Sequence, residues 1–184
     1  MKICSKFLLI LLFAQLVRPA FAQKVKEVYP DYLQPDHAVN AVTMVMVHDV
    51  VSPPVAARYY AYCMLGAYNI VSAQNKKIPA LQSFVKAYKP GIKLDTVSYK
   101  YDYKIASYYS ILETAKLMLP SGFMLKDDED AFIQILQKTR VPQDIIDNSV
   151  RLGILAANDA VNFSKTDHYN NLSALKRSTP IQIG

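Results

Sequence analysis

The sequence predicts an all-α fold, a bundle of about six helices. Apolar residues recur with the helical period of about 3.6 residues along most of the chain. Prolines stand where these periodic segments start or stop. Glycine is scarce, with 5 among 184 residues, and the 52% hydrophobic and 20% charged content is typical of a folded globular protein. This length accommodates one domain rather than two.

The first 22 residues have the pattern of a signal peptide. Two lysines precede an apolar run from Phe7 to Val17, and Ala20-Phe21-Ala22 supplies the small residues that a signal peptidase requires. The run is shorter than the roughly 20 residues that cross a bilayer. We therefore predict a secreted or periplasmic protein, cleaved before Gln23 and not attached to a membrane afterwards.

Cleavage at that position would change the charge and the cysteine content. The formal net charge would fall from +6 to +3, because residues 1–22 carry three basic side chains and no acidic ones. Such a weak charge does not favour a nucleic-acid partner. Cys63 would remain as the single cysteine, which excludes an intramolecular disulfide. Its apolar neighbours predict a buried, inert thiol.

An extended arm over residues 23–36 is predicted to precede a helical N-terminal domain over residues 37–164. The arm mixes charged and aromatic residues with two prolines. Asp36 is predicted to cap the first helix, which covers residues 37–51. That helix must end at Ser52, because a residue before proline is disfavoured in the α region.

The second predicted helix is apolar on most sides and covers residues 54–73. Ser52 is predicted to cap it, with Pro53 at the first helical position, where a missing N–H costs nothing. An all-round apolar surface favours a buried position for this helix. A shorter helix is predicted over residues 79–88, ended by Pro90-Gly91.

Three more helices complete the predicted bundle. An apolar stripe covers residues 102–119 and stops at Pro120-Ser121-Gly122. Residues 127–137 and 142–163 have the same periodicity. Residues 165–184 are polar and lack it, so they are predicted to form an irregular connecting segment.

Candidate catalytic residues are few. His48, Asp49 and Ser52 are the three residue types of a catalytic triad, but a working triad is assembled around an exposed nucleophile from separate segments. Because Ser52 is better explained as a helix cap, we assign no catalytic, cofactor-binding or metal-binding residue in this chain.

Other polar clusters favour structural roles. The acidic run Asp127–Asp130 lacks the alternation and the glycine of a calcium loop, and Asp127 and Asp130 are predicted to cap a helix. The three histidines lack metal-ligand spacing. The tyrosines could line a pocket or a carbohydrate platform, but core packing is the preferred interpretation. They stand at positions 59, 60, 62, 68, 99, 101, 103, 108 and 109.

The segment Val45–Tyr62, VMVHDVVSPPVAARYYAY, is distinctive. It resembles the N-terminal helical region of exported bacterial proteins of the vanadium-dependent haloperoxidase family, which shares its fold with type-2 phosphatidic-acid phosphatases and bacterial acid phosphatases. Ala67-Tyr68, the tyrosine-rich segment 102–119 and Lys176–Pro180 follow in the order that this resemblance implies.

The oxyanion-binding motifs of that family are missing from this chain. The family grips vanadate or phosphate with a lysine followed seven residues later by Arg-Pro, a Ser-Gly-His segment, and an arginine with a histidine six positions on. After residue 22 no Arg-Pro occurs, no glycine precedes a histidine, and Phe123 stands where Ser121-Gly122 would require histidine. The resemblance therefore implies an incomplete helical bundle, the N-terminal part of a larger vanadium-haloperoxidase-like fold that ends before the active-site motifs.

Three functions follow from this resemblance. The first is peroxide-dependent halide oxidation by the complete protein, the second is phosphatase activity on the same fold, and the third is a non-catalytic helical module of the cell envelope. In each case the chain alone is expected to be inactive and to hold no cofactor, although vanadate is implied for the complete protein. The expected partner is the missing C-terminal part of the fold, and the isolated fragment is expected to self-associate.

Arg58 and His48 are the polar residues of interest, with structural ion pairs as their favoured role.

Overall fold

The structure is a computed structural model that describes residues 30–91, 98–169 and 171, and all of its regular structure is helical. The all-α prediction is therefore confirmed. The described residues form five α-helices: α1 Pro35–His48, α2 Pro53–Gln74, α3 Tyr103–Met118, α4 Leu125–Lys138 and α5 Gln143–Ser164.

Helix α3 is the centre of the fold. It contacts each of the other four helices, and nine of its sixteen residues are buried. Its closest packing is against α5 and α2, where two glycines remove side-chain bulk. A Cβ on Gly153 would lie 2.8 Å from the Ala106 carbonyl oxygen of α3, and a Cβ on Gly66 would lie 2.6 Å from the Ser110 hydroxyl oxygen of α3. The three long helices α2, α3 and α5 thus pack closely, and α1 and α4 contact α3 and each other.

The first two helices begin at prolines. Ser52 occupies the predicted cap position of α2, with Pro53 as the first helical residue, although its side chain makes no capping hydrogen bond. The predicted cap at Asp36 is wrong: α1 begins at Pro35, and Gln34 is its N-cap. Proline prefers the first helical position, so Asp36 lies within the first turn, where its charge complements the helix dipole.

The later helix starts differ from the prediction in their caps. Asp102 caps α3, with its carboxylate accepting a hydrogen bond from the Lys104 backbone N–H at 2.7 Å. The predicted capping role of the acids in α4 is wrong. Met124 is the N-cap without a side-chain bond, Asp127 lies in the first turn, and Asp130 pairs with Lys126. The helix starts earlier because a 3₁₀ turn leads directly into it.

The predicted helix over residues 79–88 is not formed, so the expectation of about six helices becomes five among the described residues. A single 3₁₀ turn, Leu81–Ser83, takes its place. The Ser83 hydroxyl bonds the Ala80 carbonyl at 2.7 Å, an alternative to helical hydrogen bonding. So short a helix is marginal without packing along a face. Instead the segment is anchored by Tyr88, which is 1% exposed.

Several predictions concern residues that the structure does not describe. The signal peptide, half of the arm and most of the connecting segment lie outside the described residues. Within the described ranges, no helix combines the length and the apolar content needed to cross a membrane.

Candidate functional site

A groove with a volume of about 710 Å3 lies between α1 and α4. Residues on one face of each helix line it, at the three- and four-residue spacing that places side chains in a row. Tyr108 of α3 also lines it and stacks on Phe132 of α4, with ring centroids 4.1 Å apart. Helix α1 contributes His37, Ala41, Met44, Val45 and His48, and α4 with its N-cap contributes Met124, Asp128, Phe132 and Ile135.

One end of this groove is held by Asp49, the C-cap of α1. Its Oδ2 accepts a hydrogen bond from the Ser121 backbone N–H at 3.0 Å, and its Oδ1 lies 3.2 Å from His48 Nδ1. Hydrogen bonds from Ser121 lower the pKa of the Asp49 carboxyl. Of the triad-like set, the structure thus brings His48 and Asp49 together, while Ser52 stands at the N-cap position of α2 without a side-chain capping bond. Because Asp49 binds a backbone N–H, this arrangement fixes the end of α1 beside the turn before α4.

Arg58 joins the start of α2 to the end of α5. Its Nε donates to Asp167 Oδ2 at 2.6 Å, and its Nη2 donates to the Ser164 carbonyl at 3.2 Å. The guanidinium also lies over the Tyr62 and Tyr169 rings, at 5.1 and 4.4 Å from their centroids.

The carboxylate in this cluster is held in its charged form. The Tyr62 hydroxyl donates to Asp167 Oδ2 at 3.0 Å. Burial alone would raise the pKa of Asp167, but the bonds from Arg58, the Tyr169 backbone and Tyr62 outweigh it and lower that pKa. Arg58 is therefore neutralised by a stably ionised partner and acts as a link between two helices.

A second cation, Lys116 of α3, lies between two buried carboxylates. Its Nζ is 2.7 Å from Glu129 Oε2 of α4 and also pairs with Glu113 one turn earlier on α3. The Glu129 side chain is 1% exposed. Burial and the hydrogen bond with Glu113 raise the pKa of Glu129 to about 7. This cluster ties α4 to the central helix.

The Lys116 cluster was missed by the sequence analysis, although a signal for it exists. Glu129 stands on the same face of α4 as Leu125, Phe132 and Leu136, which are all buried. A carboxylate on the apolar stripe of a helix requires a buried cation. Residues 127–130 were interpreted from the sequence as one exposed acidic run, and the burial of Glu129 was therefore not predicted.

The two cations that join helices, Arg58 and Lys116, are poorly placed to bind a vanadate or phosphate ion. Such an oxyanion requires cations and N–H donors that are not already paired with carboxylates. Arg58 and Lys116 are both paired with carboxylates. Among the described residues, no three His, Cys, Asp or Glu side chains are grouped as metal ligands.

The predicted inert thiol is confirmed. Cys63 is 0% exposed in the core formed by α1, α2 and α3. Burial raises the pKa of this thiol to about 12, so the nucleophilic thiolate is not populated near neutral pH.

Comparison with known proteins identifies the fold. No protein-family profile matches the sequence, and no curated protein matches it. Among solved structures, the chain is similar to one described as the first bacterial vanadium-dependent iodoperoxidase, with a TM-score of 0.68 and 24% sequence identity. The chain has a vanadium-haloperoxidase-like helical fold.

The match includes most of this chain but a much smaller share of the iodoperoxidase. It covers 81% of this chain and 35% of the iodoperoxidase, so this chain spans about a third of the length of that protein. In this haloperoxidase-like fold, the contacts around Asp49 and Arg58 belong to the segment Val45–Tyr62, and both join helices. The segment that carries the sequence resemblance is thus a connector between elements of the fold.

Proposed function

We propose that this chain is the N-terminal helical part of a secreted vanadium-haloperoxidase-like enzyme whose vanadate-binding residues lie in further polypeptide. The observation that carries the proposal is the unequal match, which includes most of this chain and about a third of a vanadium-dependent iodoperoxidase. The complete protein would oxidise a halide with peroxide. This chain would supply the helical scaffold on which the catalytic part packs.

The charged clusters support a scaffolding role. Arg58 and Lys116 are each engaged by carboxylates that would have to be displaced before an oxyanion could bind. Both links join helices that are distant in the chain, α2 with α5 and α3 with α4. Breaking the Lys116 link to bind an ion would leave the buried Glu129 carboxylate unpaired, which is costly.

The test compares the 184-residue chain with the longer polypeptide encoded if the reading frame continues. With vanadate, peroxide and bromide or iodide, the 184-residue chain is expected to show no halide oxidation, and ⁵¹V NMR should detect no bound vanadate. The longer polypeptide, containing Lys-x6-Arg-Pro, Ser-Gly-His and Arg-x5-His, is expected to oxidise halide.

A matched control is the longer polypeptide with the histidine of its Ser-Gly-His motif replaced by alanine, which should lose activity while keeping its helical circular dichroism. Halide oxidation by the 184-residue chain would contradict the proposal. Hydrolysis of phosphate esters without halide oxidation by the longer polypeptide would replace it with the phosphatase alternative.

A further inference from the structure

The groove between α1 and α4 exposes large apolar side chains. Met44 is 58% exposed, Met124 39% and Ile135 38%. The lining residues extend over about eleven residue steps on each side of the groove, from His37 to His48 and from Met124 to Ile135. At 1.5 Å per residue the groove is about 16 Å long, which matches about three turns of a docked helix.

Negative charge surrounds this apolar floor. Asp31 and Asp128 line the groove, and none of its lining residues in the described part of the chain is lysine or arginine. Two histidines also line it, and His37 Nε2 lies 3.7 Å from Asp31 Oδ1. Asp36 and Asp127 stand in the first turns of α1 and α4. Burial, followed by the charges of Asp128 and Asp36, raises the pKa of Tyr108, which lines the groove, to about 12.

We propose that this groove is the docking site of a basic amphipathic helix of about three turns, contributed by the remaining polypeptide of the larger fold. This inference rests on the proposed function. An apolar stripe on that helix would cover Met44, Met124 and Ile135, while lysine or arginine at its margins would lie near Asp31 and Asp128. A second copy of this chain is a poorer occupant, because pairing two such grooves would place like charges opposite each other.

The test measures protection of a thiol placed in the groove. Met44→Cys is introduced into the 184-residue chain with Cys4→Ser, and Cys63 is silent because it is 0% exposed. Phe84→Cys is the matched control, since Phe84 is also 58% exposed but lies outside the groove. The probes are two helical peptides of equal length, one of leucine and lysine and one of leucine and glutamate.

The basic peptide is expected to slow labelling of Met44→Cys and to leave Phe84→Cys unchanged, whereas the acidic peptide should protect neither. Combining Asp31→Asn with Asp128→Asn should weaken binding of the basic peptide about 3- to 10-fold, as expected for two exposed charge pairs. Added salt should weaken its binding to the unsubstituted groove.

Equal protection by both peptides, or by neither, would overturn the proposal. So would concentration-dependent protection without peptide together with dimers in sedimentation, because the occupant would then be a second copy. In the longer polypeptide the Met44→Cys thiol should be protected without added peptide. A reactive thiol there in an active enzyme would reject the docking inference alone, and a protected thiol in an inactive protein would reject the proposed function alone.

Discussion

The positive charge of Lys116 stabilises the packing of α4 against α3. Its ammonium compensates the buried Glu129 carboxylate and also pairs with Glu113. At pH 8, Lys116→Ala is expected to lower the free energy of unfolding by about 3 kcal/mol, because it leaves two carboxylates buried without their cation. Urea denaturation measures this change.

The control for that substitution is Lys126→Ala, which removes an exposed pair with Asp130 on α4. Solvent screens this pair, so the expected change is below about 0.5 kcal/mol. If the two variants lose equal amounts of unfolding free energy, the Lys116 cluster contributes no more to stability than an exposed ion pair.

Glu129 is also expected to make stability depend on pH. Burial, together with the Glu113 contact, raises its pKa from the ordinary 4.5 to about 7. The folded state therefore binds the proton more tightly than the unfolded state between these values. The stability contributed by this proton is fully present below about pH 4.5 and is lost as the pH rises to about 7.

Glu129→Gln tests this dependence, because glutamine keeps the shape of the side chain and does not titrate. The unfolding free energy of the unsubstituted protein minus that of the variant is expected to fall between about pH 4.5 and pH 7 and to be constant above that. A constant difference across this window would show that Glu129 is ionised with an ordinary pKa.

At the scale of elements, the approach of α5 to α3 requires glycine at position 153. In an open helix, Gly→Ala is stabilising by up to about 1 kcal/mol. Here the new Cβ would lie 2.8 Å from the Ala106 carbonyl oxygen. Gly153→Ala is therefore expected to reverse that sign and to destabilise the protein by about 1–3 kcal/mol through overpacking. Thermal and urea unfolding measure the effect.

Gly91→Ala is the comparison variant. The nearest atoms to its new Cβ belong to the Asp159 carboxylate, which is the end of a flexible side chain rather than backbone. Gly91→Ala is therefore expected to lower the free energy of unfolding clearly less than Gly153→Ala. A stabilised Gly153→Ala protein would mean that α3 and α5 can separate without cost.

The start of α2 was predicted well because Pro53 defined it, whereas boundaries that depended on caps and packing were predicted poorly. Pro53 identified the start of α2 because its ring restricts the backbone locally. The absence of a helix over residues 79–88 depended on local serine hydrogen bonding and on the burial of Tyr88 against Phe163, with ring centroids 5.3 Å apart. A contact between such distant segments leaves no local pattern.

For the whole molecule, we expect the apolar groove to contribute little to folding of this chain. Met44→Gln, at a side chain that is 58% exposed, should change the free energy of unfolding by less than about 0.5 kcal/mol. Leu112→Ala, at a residue that is 0% exposed in the centre of α3, should cost about 2–5 kcal/mol. Urea denaturation compares the two. A large loss for Met44→Gln would mean that the groove is already filled within this chain.

The sequence by itself determined the all-α class, the helix start at Pro53 and the lack of the oxyanion motifs, because periodicity, proline geometry and residue identity are local properties. Only the tertiary structure decided that Arg58 pairs with Asp167, 109 positions away, and that Lys116 neutralises Glu129. It also decided that α1 and α4 enclose an apolar groove with acidic residues around it. Ion pairs and grooves form between segments that only the packing of the helices brings together.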